Sequence, residues 1–414
     1  MGVVVHYYKK PVKCRALLAR LTLIIGIALF YLPGYCPALE QPPITPNNEF
    51  FRLLPDSGIP AVPSDWHLIV DGNVAQPLSL SLGQLQQYEP VTLMATLECY
   101  FPYGAPLLVG NAYWTGVPLR TIIQQANPQP QAQSITFHAL DGYAMGPLSL
   151  GEFLQADDFL LAYNMNGQTL PPVQGYPLKL VLPGISGHQN GRWLSRIEIS
   201  SAPPTVPLIY YPIHSRVLEP KYLQTITLGT HTIRGFVYAG HGIDINKVEV
   251  SLDNGFTWTE AQLLNYYVPN VWKHWQIDWN FPLPGNYEIN TRSTDSAGNV
   301  QNSTGLFGWA GFSVPITADF DDDGDGVPNS IDNCQYVYNP SQTDSDNDGI
   351  GNACDADCPN LDGLNPVNFQ DLLILAANWF NIGQGLPGDL NIDNKVDEND
   401  LIKFSQYWLS SCGE

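Results

Sequence analysis

The rhythm of apolar and polar positions changes along the chain. From Gln41 to Pro204 short apolar runs alternate with turn signals and a few helical stretches. "DWHLIVDGNV" predicts a strand and turn, and "LSLGQLQQY" and "VPLRTIIQQA" predict short amphipathic helices. "SITFHAL", "PLKLVLPG" and "RWLSRIEIS" predict further strands, so this part is α+β without a regular βαβ alternation. The Pro-rich break "SSAPPTVPLIYYP" marks a boundary. From about Tyr222 to Val314 nearly everything is strand and turn, with "DNG" at 253–255 as a hairpin signal. Short strands at regular turn spacing predict an all-β, immunoglobulin-like sandwich, held by packing because it lacks paired cysteines.

From Asp319 the chain is rich in Asp, Asn and Gly, and its last part repeats itself. "VNFQDLLILAANWF" (367–380) and "VDENDLIKFSQYWL" (396–409) match at an offset of 29, each a loop leading into a short helix. The expected organisation is multi-domain: a leader over 1–38, an α+β domain over 39–204 and the sandwich over 205–316. Calcium-loop repeats follow over 317–355, and a small α-helical EF-hand-like pair over 356–414.

Charge sharpens this division. Of the net −21, the part from Asp319 onward contributes 19 acidic and 2 basic side chains. That imbalance argues against nucleic acid, whose phosphates need Lys and Arg, and for a cation as partner of the tail. At the other end, Lys9, Lys10, Lys13, Arg15 and Arg20 precede an apolar core from Leu21 to Leu32, with a small residue, Ala38, at a cleavage position. This is the layout of a secretory signal, and the apolar core is short of the roughly 20 residues a spanning helix needs. Export to the periplasm, the medium or the cell surface is the expectation.

With the leader and its Cys14 and Cys36 removed, Cys99, Cys334, Cys354, Cys358 and Cys412 are left. The last four lie in the tail and can pair in an oxidising compartment, with a four-cysteine zinc site as the poorer competing reading. Cys99 is either an inert buried hydrophobe or a thiolate kept free for chemistry.

Calcium takes six to eight hard oxygens on a tight loop. "DLNIDNKVDEND" offers Asp389, Asn391, Asp393, Asp397 and Asp400 at EF-hand intervals, with Asn394 where Gly is usual. The first copy is degenerate, with Asn360, Asp362 and Asp371 but Leu364 at the fifth position, and predicts a weaker or structural copy. Upstream, Asp321, Asp323 and Asp325, then Asp344, Asp346 and Asp348, form Asp-x-Asp-x-Asp-Gly loops that repel themselves without a cation, and Asp332 in "DNC" joins the first. A disordered acidic linker is the alternative. The segment resembles thrombospondin type 3 calcium repeats, which implies a Cys334–Cys354 bridge. The final repeat resembles a dockerin or related EF-hand pair, with Cys358 and Cys412 placed to staple its ends.

The body, about 48 to 314, resembles the sulfite oxidase family of molybdopterin enzymes. "TLEC" followed by "VGNAYWTGVPL" is similar to the family's cysteine segment, and "DGY", "LLAYNMNGQTLPPVQGYPLKLVLPG" and "RWLSRIEI" follow in family order. "INKVEVSLDNGFTWTEAQL" and "PGNYEINTRSTDSAGNVQ" resemble its immunoglobulin-like dimerisation domain. The resemblance implies that Cys99 ligates molybdenum, a soft thiolate for a metal that wants one. It places cofactor contacts on Asp141, Gln174, Lys179, Asn190, Gly191 and Arg192. Gln174 stands where the family has histidine and Lys179 where it has arginine, which loses the planar, bidentate contact. Tyr143 is either a hydrogen-bonding group near the metal or a packed aromatic.

The implied reaction is oxygen-atom transfer on a small oxyanion or another oxo-transfer substrate. The sequence has no Cys-x-x-Cys-His for a c-type haem, so electrons would go to an external one-electron acceptor such as a cytochrome c. A homodimer and a cell-surface or dockerin-type protein partner are implied as well. The alternative is a secreted, calcium-dependent binding or surface-attachment protein built on an inactive enzyme scaffold.

Overall fold

A computed structural model describes residues 40–52, 58–99, 108–240, 242–304, 313–344, 349–351, 353–354, 359, 361–362, 366–391 and 393–409. The leader, Asp346, Asp348, Cys358, Asn360, Leu364 and Cys412 lie outside the described residues. No helix among the described residues is long and apolar enough to cross a membrane.

The first unit has two sheets. In the first, β1 (His67–Gly72), β2 (Leu78–Ser81), β5 (Ser134–Ala139), β6 (Ala144–Ser149) and β10 (Leu194–Ser200) run in the order β2-β1-β10-β5-β6. The β1–β10 pair is parallel and its neighbours antiparallel. Helices α1 (Leu82–Leu85), α2 (Leu119–Ala126) and α3 (Leu150–Gln155) contribute to the same core. In α2, Leu119, Ile122, Ile123 and Ala126 are buried, an i, i+3, i+4, i+7 stripe, and the helix stops where Asn127 turns left-handed at φ 53°. The second sheet joins β3 (Val91–Cys99), β4 (Leu108–Pro118), β7 (Leu160–Met165) and β8 (Gln168–Thr169), with β9 (Lys179–Val181) also paired to β7.

The second unit is all β. Strands β11 (His214–Glu219), β12 (Thr225–Thr227), β13 (Gly229–Tyr238), β14 (Ile245–Ser251), β15 (Thr259–Leu263), β16 (Lys273–Phe281), β17 (Gly285–Asp295) and β18 (Val314–Asp319) form one hydrogen-bonded path, β11-β13-β16-β15-β14-β17-β18-β12. The path folds back on itself. Ser215 on β11 donates to Thr291 on β17 at 2.9 Å, and residues from both ends share one core around Trp275 and Phe281. The β14–β15 hairpin turns at Asn254 and Gly255, both at positive φ, as the "DNG" signal requires.

Past β18 regular structure thins out. Cys334 and Cys354 form a disulfide across a separation of 20 residues. Two nine-residue helices follow, α4 (Phe369–Ala377) and α5 (Glu398–Gln406), each opened by a reciprocal capping box, Asn368 with Asp371 and Asp397 with Asp400. Among the described residues their shared core is small: Val367, Leu375, Leu390, Val396 and Phe404.

Candidate active site

Strand β3 organises the site through its period of two. Leu93, Ala95 and Leu97 face a cluster that contains Trp114. The alternate residues face the second unit: Met94 packs by Tyr238 and Trp272, the Thr96 hydroxyl accepts from Trp272 N at 3.0 Å, and Glu98 meets His214. Cys99 therefore ends the strand on the Leu97 side. It is half-buried and is a free cysteine. Burial and the Glu98 carboxylate push its thiol up, against the pull of Arg192, so in the cofactor-free chain it holds its proton at neutral pH.

A narrow cleft beside it is lined by Leu97, Gln174, Lys179, Gly187, Asn190 and Arg192. Lys179, on β9, is 4% exposed. Burial and the neighbouring Arg192 lower its pKa to about 7, its ammonium lies 5.7 Å from the Trp114 ring centre, and no ion pair among the described residues includes it. Arg192 donates to the Val173 carbonyl at 3.2 Å and stacks 4.3 Å from the Trp193 ring centre. Gln174 Nε2 donates to the Phe51 carbonyl at 3.1 Å.

Asn190 is spent on the turn itself. Its Oδ1 accepts from Leu182 N at 2.6 Å, and its Nδ2 donates to the carbonyls of Ile185 and Ser186 at 3.2 Å, so this side chain has little left for a ligand. Gly191 follows it, its carbonyl accepting from Leu180 N at 2.8 Å. Asp141 and Tyr143 sit on the exposed rim. Asp141 accepts from Tyr143 N and acts electrostatically on Arg192, while the Tyr143 hydroxyl donates to the His188 carbonyl at 3.0 Å. Burial and Asp141 push that hydroxyl up, so Tyr143 is a donor rather than an anion. Gly187 has a strict requirement: a Cβ there would collide with the Glu98 carbonyl oxygen.

The chain's own residues fit an anionic, hydrogen-bonding cofactor. Two cations that repel each other, one of them almost fully buried, border a cleft with a soft sulfur donor at its edge. Another groove, about 470 Å³ and lined by Glu219, Lys221, His231 and Arg234, lies on the second unit and brings no such buried charge.

Glu98, His214 and Arg216 escaped the motif-based reading. Glu98 is 1% exposed, accepts from His214 Nε2 at 2.8 Å and pairs with Arg216 Nη2 at 3.2 Å. The signal was present in "LMATLEC": a lone acid in an apolar strand must be paired when buried.

The acidic loops are built differently. Asp321 accepts from Gly324 N and Gly326 N, Asp325 from Val327 N and Asn339 N, Asp332 from Cys334 N, and Asp344 from Gly349 N. Asp321, Asp323 and Asp325 bring carboxylate oxygens within 4.8 Å of one another. Burial and these like-charged neighbours, with Asp332, push Asp323 up. In the last loop Asp389 accepts from Asp393 N and Asn394 N, Asn391 from Asp393 N, Asp393 from Lys395 N and Asp397 from Asn399 N. Asp400 is fully buried and accepts from Asn391 N and Asp397 N; Asn394 is left-handed at φ 65°. Asp371 repeats the Asp400 arrangement with Asp362 N and Asn368 N.

Comparison with known proteins divides the chain at similar places. The family described as "Oxidoreductase molybdopterin binding domain" matches residues 56–207, "Mo-co oxidoreductase dimerisation domain" matches 206–313, and "Thrombospondin type 3 repeat" matches 318–342. Sulfite oxidase of Gallus gallus is 31% identical over 314 residues, 62% of this chain and 68% of that protein. Mitochondrial sulfite oxidase of Homo sapiens is 30% identical over 322 residues, 63% of this chain and 58% of that protein. An NADPH nitrate reductase of Beauveria bassiana is 28% identical over 301 residues, 56% of this chain and 34% of that protein. Among solved structures, the sulfane dehydrogenase SoxCD of Paracoccus pantotrophus shares the fold at a TM-score of 0.54 and 23% identity, over 64% of this chain and 76% of that one.

Proposed function

The chain belongs to the sulfite oxidase family, and from that premise we propose that it is an exported molybdopterin-dependent oxidoreductase with a calcium-stabilised tail. The observation that carries the reading is the pair of repelling cations, Lys179 and Arg192, in the cleft beside Cys99. A phosphate-bearing cofactor would relieve that repulsion and return Lys179 to its charged form. Lys179 and Arg192 would hold its anionic end, Gln174 and the turn at Asn190–Gly191 its hydrogen-bonding edge, and Cys99 the molybdenum. When bound, the cofactor supplies oxygen-atom transfer with two-electron storage.

The remaining tasks fall to the protein. Cys99 must give up its thiol proton on ligation. Gly187 lets the following turn lie against the Glu98–Cys99 backbone, and Tyr143 holds that turn through the His188 carbonyl. Asp141 acts on Arg192 from the rim. The substrate is a small oxyanion or another oxygen-atom donor or acceptor, and electrons leave to an external one-electron acceptor such as a cytochrome c. The 205–316 domain supports a homodimer. The loops around Asp321 and Asp389 take calcium, the 356–414 segment acts as a dockerin-like EF-hand pair, and the tail attaches the enzyme to a surface or protein partner.

The test is the molybdenum and pterin content of protein made in a cofactor-producing host. Near-stoichiometric metal and pterin are expected in the wild type, and in Cys99→Ser the cysteine-sulfur contribution disappears from the molybdenum X-ray absorption spectrum. A wild type free of metal and pterin would sink the enzymatic reading in favour of a binding protein on an inactive scaffold.

A further inference from the structure

The peptide entering Cys99 is held from three sides. The Glu98 carboxylate accepts from His214 Nε2 at 2.8 Å and pairs with Arg216 Nη2 at 3.2 Å. The Glu98 carbonyl accepts from the Tyr211 hydroxyl. Beneath it lies Gly187, too close for any side chain. His214 is fully buried, and both it and Arg216 sit on β11 of the second unit, more than 100 residues from Glu98.

A valine at this position would satisfy the burial of β3 without desolvating a charge. Buried ion pairs are poor sources of stability, and their best-attested use is to fix register. Register matters here for a simple reason. A slip of β3 by one residue would turn the Cys99 side chain from the Leu97 face to the domain interface. Glu98 can find its two partners only when Cys99 faces the cleft.

We infer that Glu98 is a positioning residue for Cys99 and that His214 and Arg216 make the second unit part of the catalytic assembly. The inference rests on Cys99 being the molybdenum ligand. None of the described residues that line the cleft belongs to the second unit, yet that unit decides where the ligand points.

The test uses the full chain, loaded and cofactor-free, in two variants: Glu98→Gln and the double variant Glu98→Gln/His214→Gln. In loaded Glu98→Gln, pterin content stays near wild type. X-ray absorption at the molybdenum edge shows a weakened or heterogeneous cysteine-sulfur shell, the reduction potential shifts, and kcat falls about tenfold or more with KM changed about twofold or less. The double variant Glu98→Gln/His214→Gln, in which two amides can share a hydrogen bond, recovers a homogeneous sulfur shell. In the cofactor-free protein, amide exchange at Leu97–Cys99 rises about tenfold in Glu98→Gln while the start of β3 is unchanged.

An unaltered sulfur shell and potential in Glu98→Gln, with only a lower melting temperature, overturns the inference, as does an exchange increase spread evenly along β3. A wild type that never binds molybdenum is a different failure. It removes the ligand reading, while the exchange experiment still reports whether Glu98 fixes the end of β3.

Discussion

The cleft and the acidic tail are both candidate metal centres, and they are made in opposite ways. The cleft has few charges, and one of them is deeply buried with no ion pair among the described residues: Lys179 is 4% exposed and has Arg192 beside it. The tail has many carboxylates near the surface, most of them answered by amides of their own loops. The first unit carries a large core that includes Trp66, Phe137, Phe153 and Leu180, so the strand that carries Lys179 is fixed by packing rather than by a ligand. Among the described residues the tail helices share five buried apolar side chains, a small core for such a segment without a staple or an ion. A preformed site uses the fold to hold a ligand; a loop site uses the ligand to hold the fold.

Chelation tests that contrast with the largest effect. Removing calcium should open the segment from Asp319 onward to proteolysis while the near-ultraviolet circular dichroism of the body is unchanged. Equal protection with and without chelator would remove the contrast. Next come the two buried capping carboxylates. Asp400→Ala and Asp371→Ala should each cost the tail about 2–3 kcal/mol by orphaning buried amides, read from denaturant unfolding. Only Asp400→Ala should also weaken calcium binding, because its loop keeps the full set of oxygens.

A smaller effect is expected in the cofactor-free body. Lys179 titrates at about 7 when folded against 10.5 as a free side chain. Below pH 7 both states hold the proton, and the buried charge weakens the fold. Between those values only the unfolded chain is protonated, so stability rises with pH. The gain from pH 7 to 9 is about 2 kcal/mol, and Lys179→Met should remove it from a pair of urea titrations. Smallest of all is the exposed Arg120–Asp157 pair, with side chains 40% and 78% exposed. Arg120→Ala should change stability by less than about 0.5 kcal/mol, which would show that burial, not the unit a charge belongs to, sets the scale.

Much of this was legible in the sequence because periodicity reports burial directly. The alternation in "SITFHAL" and "RWLSRIEIS" became β5 and β10, and the apolar stripe of "VPLRTIIQQA" became α2. Gln174, Lys179, Asn190 and Arg192, separated along the chain, do line one cleft. Other features needed three dimensions. Asn190 has the residue type of a ligand contact, but its amide is consumed by three backbone groups. Arg216 lies outside the first unit, so a survey of the cations in that unit misses it. The charge on Glu98 could be flagged as needing a partner, but which of the distant His and Arg residues supplied it depends on how the two units pack.

The Cys334–Cys354 bridge joins two points 20 residues apart in a stretch whose described residues hold no helix or strand. A protease that cuts between them therefore nicks the chain without severing it. The fragments would migrate as one species until a thiol is added, and the helices beyond would stay tethered to the body. The bridge acts as a safety strap, so a single backbone break in the loop it closes does not set the C-terminal segment adrift.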